Sequence, residues 1–168
     1  MKITFTGIID KIKYKKTDKE TIIAIIDYKT GNPNLDLTTT PYGIGMQLPI
    51  YLYLARNSPK LEKVKVAGFY LQKILNNEMT VDNIHTYEQL KKKNLLLQGY
   101  SNEDLSILSE FDTSYMDSNI IKSMKVKNDN SFYSYAKVLS QDKIEYITNL
   151  AEQKIEEAAK KICNAEFK

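Results

Sequence analysis

Apolar and polar positions along the chain predict a short series of strands and helices. Residues 2–13 alternate between β-branched or apolar and polar side chains and predict a first strand. Lys15 through Glu20 is a polar run that predicts a turn. Residues 21–29, TIIAIIDYK, are nearly continuous in β-branched and apolar side chains, which predicts a second strand buried on both faces. A short polar link between adjacent strands makes an antiparallel hairpin. Gly31, Asn32, Pro33 and Asn34 end the second strand, with a polar loop to about Tyr42.

Residues 43–56 predict a helix, with Met46, Ile50, Tyr53 and Leu54 near one face and Pro49 inside it. An interior proline costs about 3 kcal/mol outside the first turn, so the helix either starts near Leu48 or kinks there. Residues 63–71 alternate as a third strand, and residues 72–98 read mostly as loop or short helix, with a short strand at Leu95–Leu97. Asn102–Phe111 predicts a short helix capped by Ser101 or Asn102. Residues 112–131 look irregular, and Phe132–Val138 predicts one more strand. From Ser140 onward, Ile144, Ile147, Leu150, Ala151, Ile155, Ala158, Ala159 and Ile162 keep helical spacing. No repeat or linker divides the chain. The order β-β-α-β, then smaller elements, then a long α, predicts one α/β domain over residues 1–168: a mixed β-sheet flanked by α-helices.

Composition narrows the chemistry. One cysteine, Cys163, excludes an internal disulfide, and its helical spacing predicts a half-buried position. One histidine, His85, lies in a polar stretch and predicts a surface side chain. Together these counts remove most serine-histidine, cysteine-histidine and zinc schemes. Chemistry must rest on carboxylates, lysine and tyrosine. The net charge of +3 permits an acidic partner without demanding one, and Lys91–Lys93 fit a solvated face as well as a DNA backbone. Arg56 is the only arginine, so bidentate base readout is nearly absent. DNA, if bound, would be held through phosphates and shape. No apolar run spans a bilayer, and the N-terminus reads as a strand rather than a signal peptide, which predicts no membrane contact and a cytoplasmic location.

Two acids stand in apolar surroundings, Asp10 after Gly7-Ile8-Ile9 and Asp27 after the run Ile22–Ile26. A carboxylate ending a buried strand is costly unless it is paired or holds a cation. Strand alternation puts Asp27 and Lys29 on one face. A hairpin turning near residue 18 sets Asp10 opposite a residue between Ile25 and Asp27, within about 4.5–5.5 Å between Cβ atoms. Two carboxylates at that separation suit Mg²⁺ or Mn²⁺. The bare Asp-x-Lys triplet favours a simple salt bridge; Asp10, placed by the hairpin beside buried-strand residues, brings the metal site level with it. Lys29 has three possible roles: positioning water, helping to deprotonate it, or stabilising charge on a phosphate.

The segments FTGIIDKI, AIIDYKTG and GMQLPIYL follow one another in this order. They resemble the RecB-like branch of the PD-(D/E)XK nuclease superfamily, most of all the C-terminal nuclease domain of AddB-type subunits of bacterial helicase-nucleases. The segment LLLQGYSNED and the last helix are similar too, so the likeness covers nearly the whole chain. The resemblance implies a restriction-endonuclease-like fold, with Asp10 and Asp27 as metal ligands, the backbone carbonyl of Tyr28 completing the shell, and Lys29 as the catalytic lysine. Gln47 and Tyr51 match the family's Q-x-x-x-Y pair; four residues apart, they share one helix face. That face also fits a partly buried structural role. Gly31 is expected to supply the turn conformation that ends the strand, and Gly7 a close backbone approach or a strand irregularity.

The resemblance implies a DNA exonuclease acting in double-strand-break repair, with an AddA-like helicase-nuclease chain as its partner. Two departures qualify it. The family's helix before the first strand contributes a further site residue, and the branch binds an iron-sulfur cluster through cysteines beyond the last helix. Neither is present here, so the sequence is expected to be a fragment of a larger protein, with the cluster implied for the parent and not for this piece. A DNA-binding or scaffold module that keeps the fold without activity is the competing expectation.

Overall fold

The computed structural model describes residues 4–74 and 84–166, with only the backbone of Ile84 and His85. The expected surface position of the His85 side chain therefore lies outside the described residues, as does part of the stretch assigned to loop or short helix.

Five strands form one mixed sheet in the order β1-β2-β3-β4-β5. These are β1 (Lys11–Lys16), β2 (Thr21–Lys29), β3 (Val64–Lys73), β4 (Gln98–Asn102) and β5 (Val138–Leu139). β1 and β2 form the expected antiparallel hairpin, and β2 runs parallel to β3. β3 and β4 are antiparallel, and β4 and β5 parallel. The helices are α1 (Gln47–Arg56), α2 (Ile84–Asn94), α3 (Leu105–Phe111) and α4 (Gln141–Cys163). This is the α/β arrangement of a mixed sheet flanked by helices.

β2 is the spine. Its residues from Thr21 to Asp27 are all buried, because alternate side chains enter two cores. Ile23 and Ile25 pack with Leu48, Leu52 and Ala55 of α1 and Ile144 and Ile147 of α4. Ala24 and Ile26 pack on the opposite side with Tyr70, Leu97, Leu108, Ile121 and Met124. The end of β2 that carries Asp27 is thereby fixed from both faces.

Several boundaries differ from those expected. The first strand begins at Lys11, and residues 4–9 join no ladder; Phe5 and Gly7 lie against Tyr53 and Leu54 of α1. Lys15 and Lys16 belong to β1, so the turn is confined to Thr17–Glu20, where Thr17 N donates to Glu20 O (2.9 Å) and the Thr17 hydroxyl caps the turn. Leu97 makes only an isolated bridge to Ile121, and the strand follows it. Phe132 pairs with Val126 in a small hairpin, leaving only Val138 and Leu139 in the sheet. The loop before Tyr42 contains a 3-10 helix over Leu37–Tyr42, capped by Asp36. α4 buries Ile144, Ile147, Thr148, Leu150 and Ala151, but its last turns outrun the core. Ile162 and Cys163 are therefore exposed, and Cys163 is not half-buried as its spacing suggested.

Asp104, not Ser101 or Asn102, caps α3 by accepting from Ser106 N (2.9 Å). Asn102 is fully buried and tied to three elements. Its amide donates to Val66 O (2.9 Å) and Gln141 Oε1 (3.2 Å), and its carbonyl accepts from Asp104 N (2.9 Å). Asn102→Leu keeps the volume and strands these partners. It is expected to cost about 2–4 kcal/mol in urea denaturation; a midpoint equal to that of the wild type would disprove the clamp.

Candidate active site

The β1–β2 register pairs Lys11 with Ile26, which sets Asp10 level with Asp27 at the open end of the hairpin. Asp10 bends around the sheet edge, and its Oδ2 accepts from Tyr28 N (3.1 Å). Within a strand a residue's N–H and C=O face the same edge. The Tyr28 carbonyl therefore faces the edge where Asp10 lies, whereas the next carbonyl, of Lys29, turns the other way and accepts from Ile74 N (3.0 Å).

Asp27 is fully buried, with Lys29 two residues along on the same face. Lys29 Nζ stands 2.6 Å from Asp27 Oδ2 and donates to Gln47 Oε1 (2.6 Å). Gln47 Nε2 donates to Asp27 Oδ1 (2.7 Å) and to Tyr51 Oη (3.1 Å). The structure thus brings Asp10, Asp27, Tyr28, Lys29, Gln47 and Tyr51 to one place. Pro49, the third residue of α1, sits in the first turn, where its missing N–H costs little. Leu48, Pro49, Leu52 and Ala55 face the core, leaving Gln47 and Tyr51 over the site.

Two glycines bring α1 to this position. Gly43 and Gly45 have φ of 78° and 70°, so the chain leaves the 3-10 helix through left-handed conformations that suit glycine. The positive-φ role expected of Gly31 belongs to them; Gly31 itself has no positive φ. Gly7 does permit a close approach, but the neighbour is α1: a Cβ there would come 2.8 Å from Leu54 Cδ1. The N-terminus of α1 carries no side-chain cap and no acid in its first turn, so its partial positive charge stays open toward the site.

Two buried aspartates show what is unusual about Asp27. Asp112 is saturated: its carboxylate accepts from Ser114 N (2.8 Å), Ser114 Oγ (2.6 Å) and Ser118 Oγ (2.5 Å). Asp27 Oδ2 is, among the described residues, a buried polar side-chain atom without a hydrogen bond. The Lys29 ammonium, 2.6 Å away, is its ion-pair partner. Burial raises the Asp27 carboxyl above its ordinary range; Lys29 pulls it down, and the Asp10 charge pushes it up again. A buried carboxylate whose one oxygen has an ion-pair partner and no assigned hydrogen bond fits a cation. Two carboxylates and a backbone carbonyl are hard oxygen donors, so Asp10, Asp27 and Tyr28 fit Mg²⁺ or Mn²⁺. No cluster of three or more acidic, histidine or cysteine side chains occurs among the described residues, so this mixed set is what the site offers.

Lys11 is a neighbour that the sequence did not single out. Its Nζ donates to Tyr28 Oη (2.9 Å) and lies 5.6 Å from the ring centroid. Its one signal was adjacency to Asp10. Beside the site is a cavity of about 310 Å³ lined by Lys29, Asn34, Asp36, Thr39, Gln47 and Leu71, among others. A larger cavity, about 720 Å³, lies between Phe5, α1 and the second half of α4, and none of the site residues lines it.

A family model of the PD-(D/E)XK nuclease superfamily matches residues 1–168. The B subunit of the ATP-dependent helicase/deoxyribonuclease of Thermoanaerobacter sp. (strain X514) is 29% identical over 167 residues, which is 96% of this chain and 14% of that protein. The protein of the same description from Clostridium kluyveri (strain NBRC 12016) is 30% identical over 96% of this chain and 15% of its own length. That from Carboxydothermus hydrogenoformans is 33% identical over 75% of this chain and 12% of its own length. The chain thus spans 12–15% of the length of these curated relatives. With a mixed sheet that carries Asp10, Asp27 and Lys29 at the end of its hairpin, and a match over its full length, this chain belongs to the PD-(D/E)XK nuclease superfamily.

Proposed function

We propose that this chain is a metal-dependent DNA exonuclease domain that hydrolyses phosphodiester bonds. The observation that carries the reading is the fully buried Asp27 carboxylate, with Lys29 on Oδ2, Gln47 on Oδ1 and Asp10 held beside it on Tyr28 N. Asp112, by contrast, has both carboxylate oxygens taken up by serine donors.

Asp10, Asp27 and the Tyr28 carbonyl would hold Mg²⁺ or Mn²⁺. When bound there, the cation supplies charge that polarises the phosphodiester, acidifies water and steadies the leaving oxygen. The protein's own residues do the rest. Lys29 has three donor hydrogens; with Asp27 and Gln47 beside two of them, one remains for a phosphate oxygen or the attacking water. Its positive charge stabilises the charge that develops on the phosphate. Gln47 accepts from Lys29 and donates to Asp27, so it holds both in one orientation, and Tyr51 in turn positions the Gln47 amide.

The names of the relatives support a setting inside a helicase-nuclease. That complex would work in the cytoplasm, in double-strand-break repair and recombination. There, residues 1–168 are the nuclease core of a larger AddB-type chain, and an AddA-like helicase-nuclease partner delivers the DNA strand. Delivery by a helicase makes sequence readout unnecessary, which agrees with a single arginine that is engaged with Asn149 and Glu152. An iron-sulfur cluster, if the parent has one, is not held by this chain, whose lone cysteine cannot ligate it. No helix among the described residues is long and apolar enough to cross a membrane.

The direct test is release of nucleotides from linear DNA. Mg²⁺ or Mn²⁺ is expected to support it and EDTA to stop it; absence of cleavage alongside metal-independent DNA binding would favour a scaffold. Gln47→Ala is expected to lower cleavage roughly 10–100-fold with the fold intact, as loss of a residue that orients metal ligands does. Full activity in that variant would remove Gln47 from the machinery.

A further inference from the structure

The segment between α3 and β5 looked irregular in sequence, but it builds a defined surface. Ile121, Met124 and Val126 are buried, which pins the chain to the core. Lys122 and Lys127, between and beyond them, are turned to solvent, and Lys125 is paired with Asp117 (2.9 Å). A tight turn follows, in which Asn130 N donates to Lys127 O (3.0 Å) and Lys127 N to Ser131 O (2.8 Å). It returns the chain to Tyr133 and Tyr135. Their rings stack at 5.4 Å with an interplanar angle of 17°, and Tyr135 remains 54% exposed. Lys127 Nζ lies 5.5 Å from the Tyr133 ring, and Lys137 Nζ 5.4 Å from the Tyr100 ring. A cavity of about 150 Å³ opens among Gln98, Gly99, Lys122, Ser123, Tyr135 and Lys137. From Lys122 to Lys137 the chain has four lysines and a single acid, Asp129.

This surface continues to the catalytic cavity. Asp36 lines that cavity together with Lys29 and Gln47. Its carboxylate is held low by the Thr38 hydroxyl and amide, and further by the charge of Lys137. Tyr100, beneath Lys137, is raised by burial and then by Asp36. The strand register makes the same link: Leu71, which lines the cavity beside the site, pairs with Asp27 on one side and on the other with Gln98, which lines the cavity among Tyr135 and Lys137. A stacked tyrosine pair with one exposed ring, beside exposed lysines that have no carboxylate ion pair among the described residues, matches a polymer that carries both bases and phosphates. Rings accept any base, and lysines accept the backbone.

We propose that Tyr135, stacked on Tyr133, together with Lys122, Lys127 and Lys137 forms a docking track for single-stranded DNA that leads to the Asp10–Asp27–Lys29 site. The proposal deepens the nuclease reading and rests on it. The rings take bases, which a duplex keeps stacked inside, so the track selects single strands.

The test uses the whole chain in EDTA, so that binding is read without cleavage. The probe is a short labelled oligothymidylate followed by fluorescence anisotropy across a salt series. Tyr135→Ala is expected to weaken binding about fivefold or more with the salt slope unchanged, and Tyr135→Phe to retain it. Lys127→Gln and Lys137→Gln are each expected to reduce the magnitude of the salt slope by roughly 0.7. An abasic oligomer of the same length is expected to bind weakly and to ignore Tyr135→Ala. Unchanged affinity and slope in these variants would overturn the track. So would a duplex bound as tightly and with the same sensitivities, which would mark a surface for phosphates only. These readouts are independent of catalysis. Wild-type protein that binds as described but never cleaves would refute the nuclease reading alone, and cleavage of linear DNA without these binding effects would refute the track alone.

Discussion

Asp27→Asn is expected to abolish DNA cleavage and, in EDTA at neutral pH, to leave the protein at least as stable as the wild type. The two effects have one cause. Asp27 is fully buried, and its carboxyl is raised by burial, lowered by Lys29 and raised again by Asp10. A raised carboxyl favours the protonated form in the folded state. The stability it contributes is full below the ordinary carboxylate value of 3.8 and is lost as pH rises through the raised value. At neutral pH the ionised side chain is therefore a cost, which asparagine removes while still accepting from Gln47. The advantage of the variant should shrink as the pH falls through the raised value, where the wild-type side chain takes up its proton. Cleavage should fall on the order of 10³-fold or more, because a ligand of the cation and part of the charge at the phosphate are lost. Melting curves over pH and a nucleotide-release assay measure both. A variant that cleaves normally would remove Asp27 from the site, and one that melts well below the wild type at neutral pH would show that its charge is structural.

The second large effect belongs to Lys29. Lys29→Met keeps the length of the side chain and removes its charge. Cleavage is expected to fall roughly 10²–10³-fold, the loss typical of one preorganised donor at a developing oxyanion. Cation binding should be at least as tight as in the wild type, because the ammonium that stands 2.6 Å from Asp27 Oδ2 no longer competes for it. Lys29→Arg is not expected to rescue, since the planar guanidinium cannot occupy the compact space between Asp27 and Gln47 that a single Nζ fills. Retained binding with lost cleavage separates a residue that acts on the phosphate from one that holds the cation. If the Met variant loses both together, Lys29 is a structural partner of Asp27 and no more.

The heart of the site was legible because its geometry is local. The run from Ile22 to Ile26 announced a strand buried on both faces, and a short turn confined the register enough to bring Asp10 to Asp27. Gln47 and Tyr51 lie one helical turn apart, so their joint approach followed once α1 existed. The alignment of α1 over the site was not legible, because it depends on Gly43 and Gly45 in left-handed conformations at the end of a 3-10 helix that no hydrophobic period marks. The surface between α3 and β5 was hidden for a related reason. Ile121, Met124 and Val126 are spaced for neither helix nor strand, and they are ordered by burial against Ala24, Ile26, Tyr70 and neighbours distant in sequence. Asn102 looked like a cap because asparagine favours caps; tertiary contacts with Val66 and Gln141 used its side chain first. At Cys163 the helical period was correct, but the helix continues beyond anything it can pack against.

The joint holding of one cation by Asp10 and Asp27 is the centre of this description, and a Mn²⁺ titration followed by electron paramagnetic resonance tests it most directly. The wild type is expected to bind Mn²⁺ at a single site that Asp10→Ala and Asp27→Asn each weaken by at least about tenfold, while Lys29→Met retains it. Equal Mn²⁺ affinity in the wild type and in both carboxylate variants would contradict it.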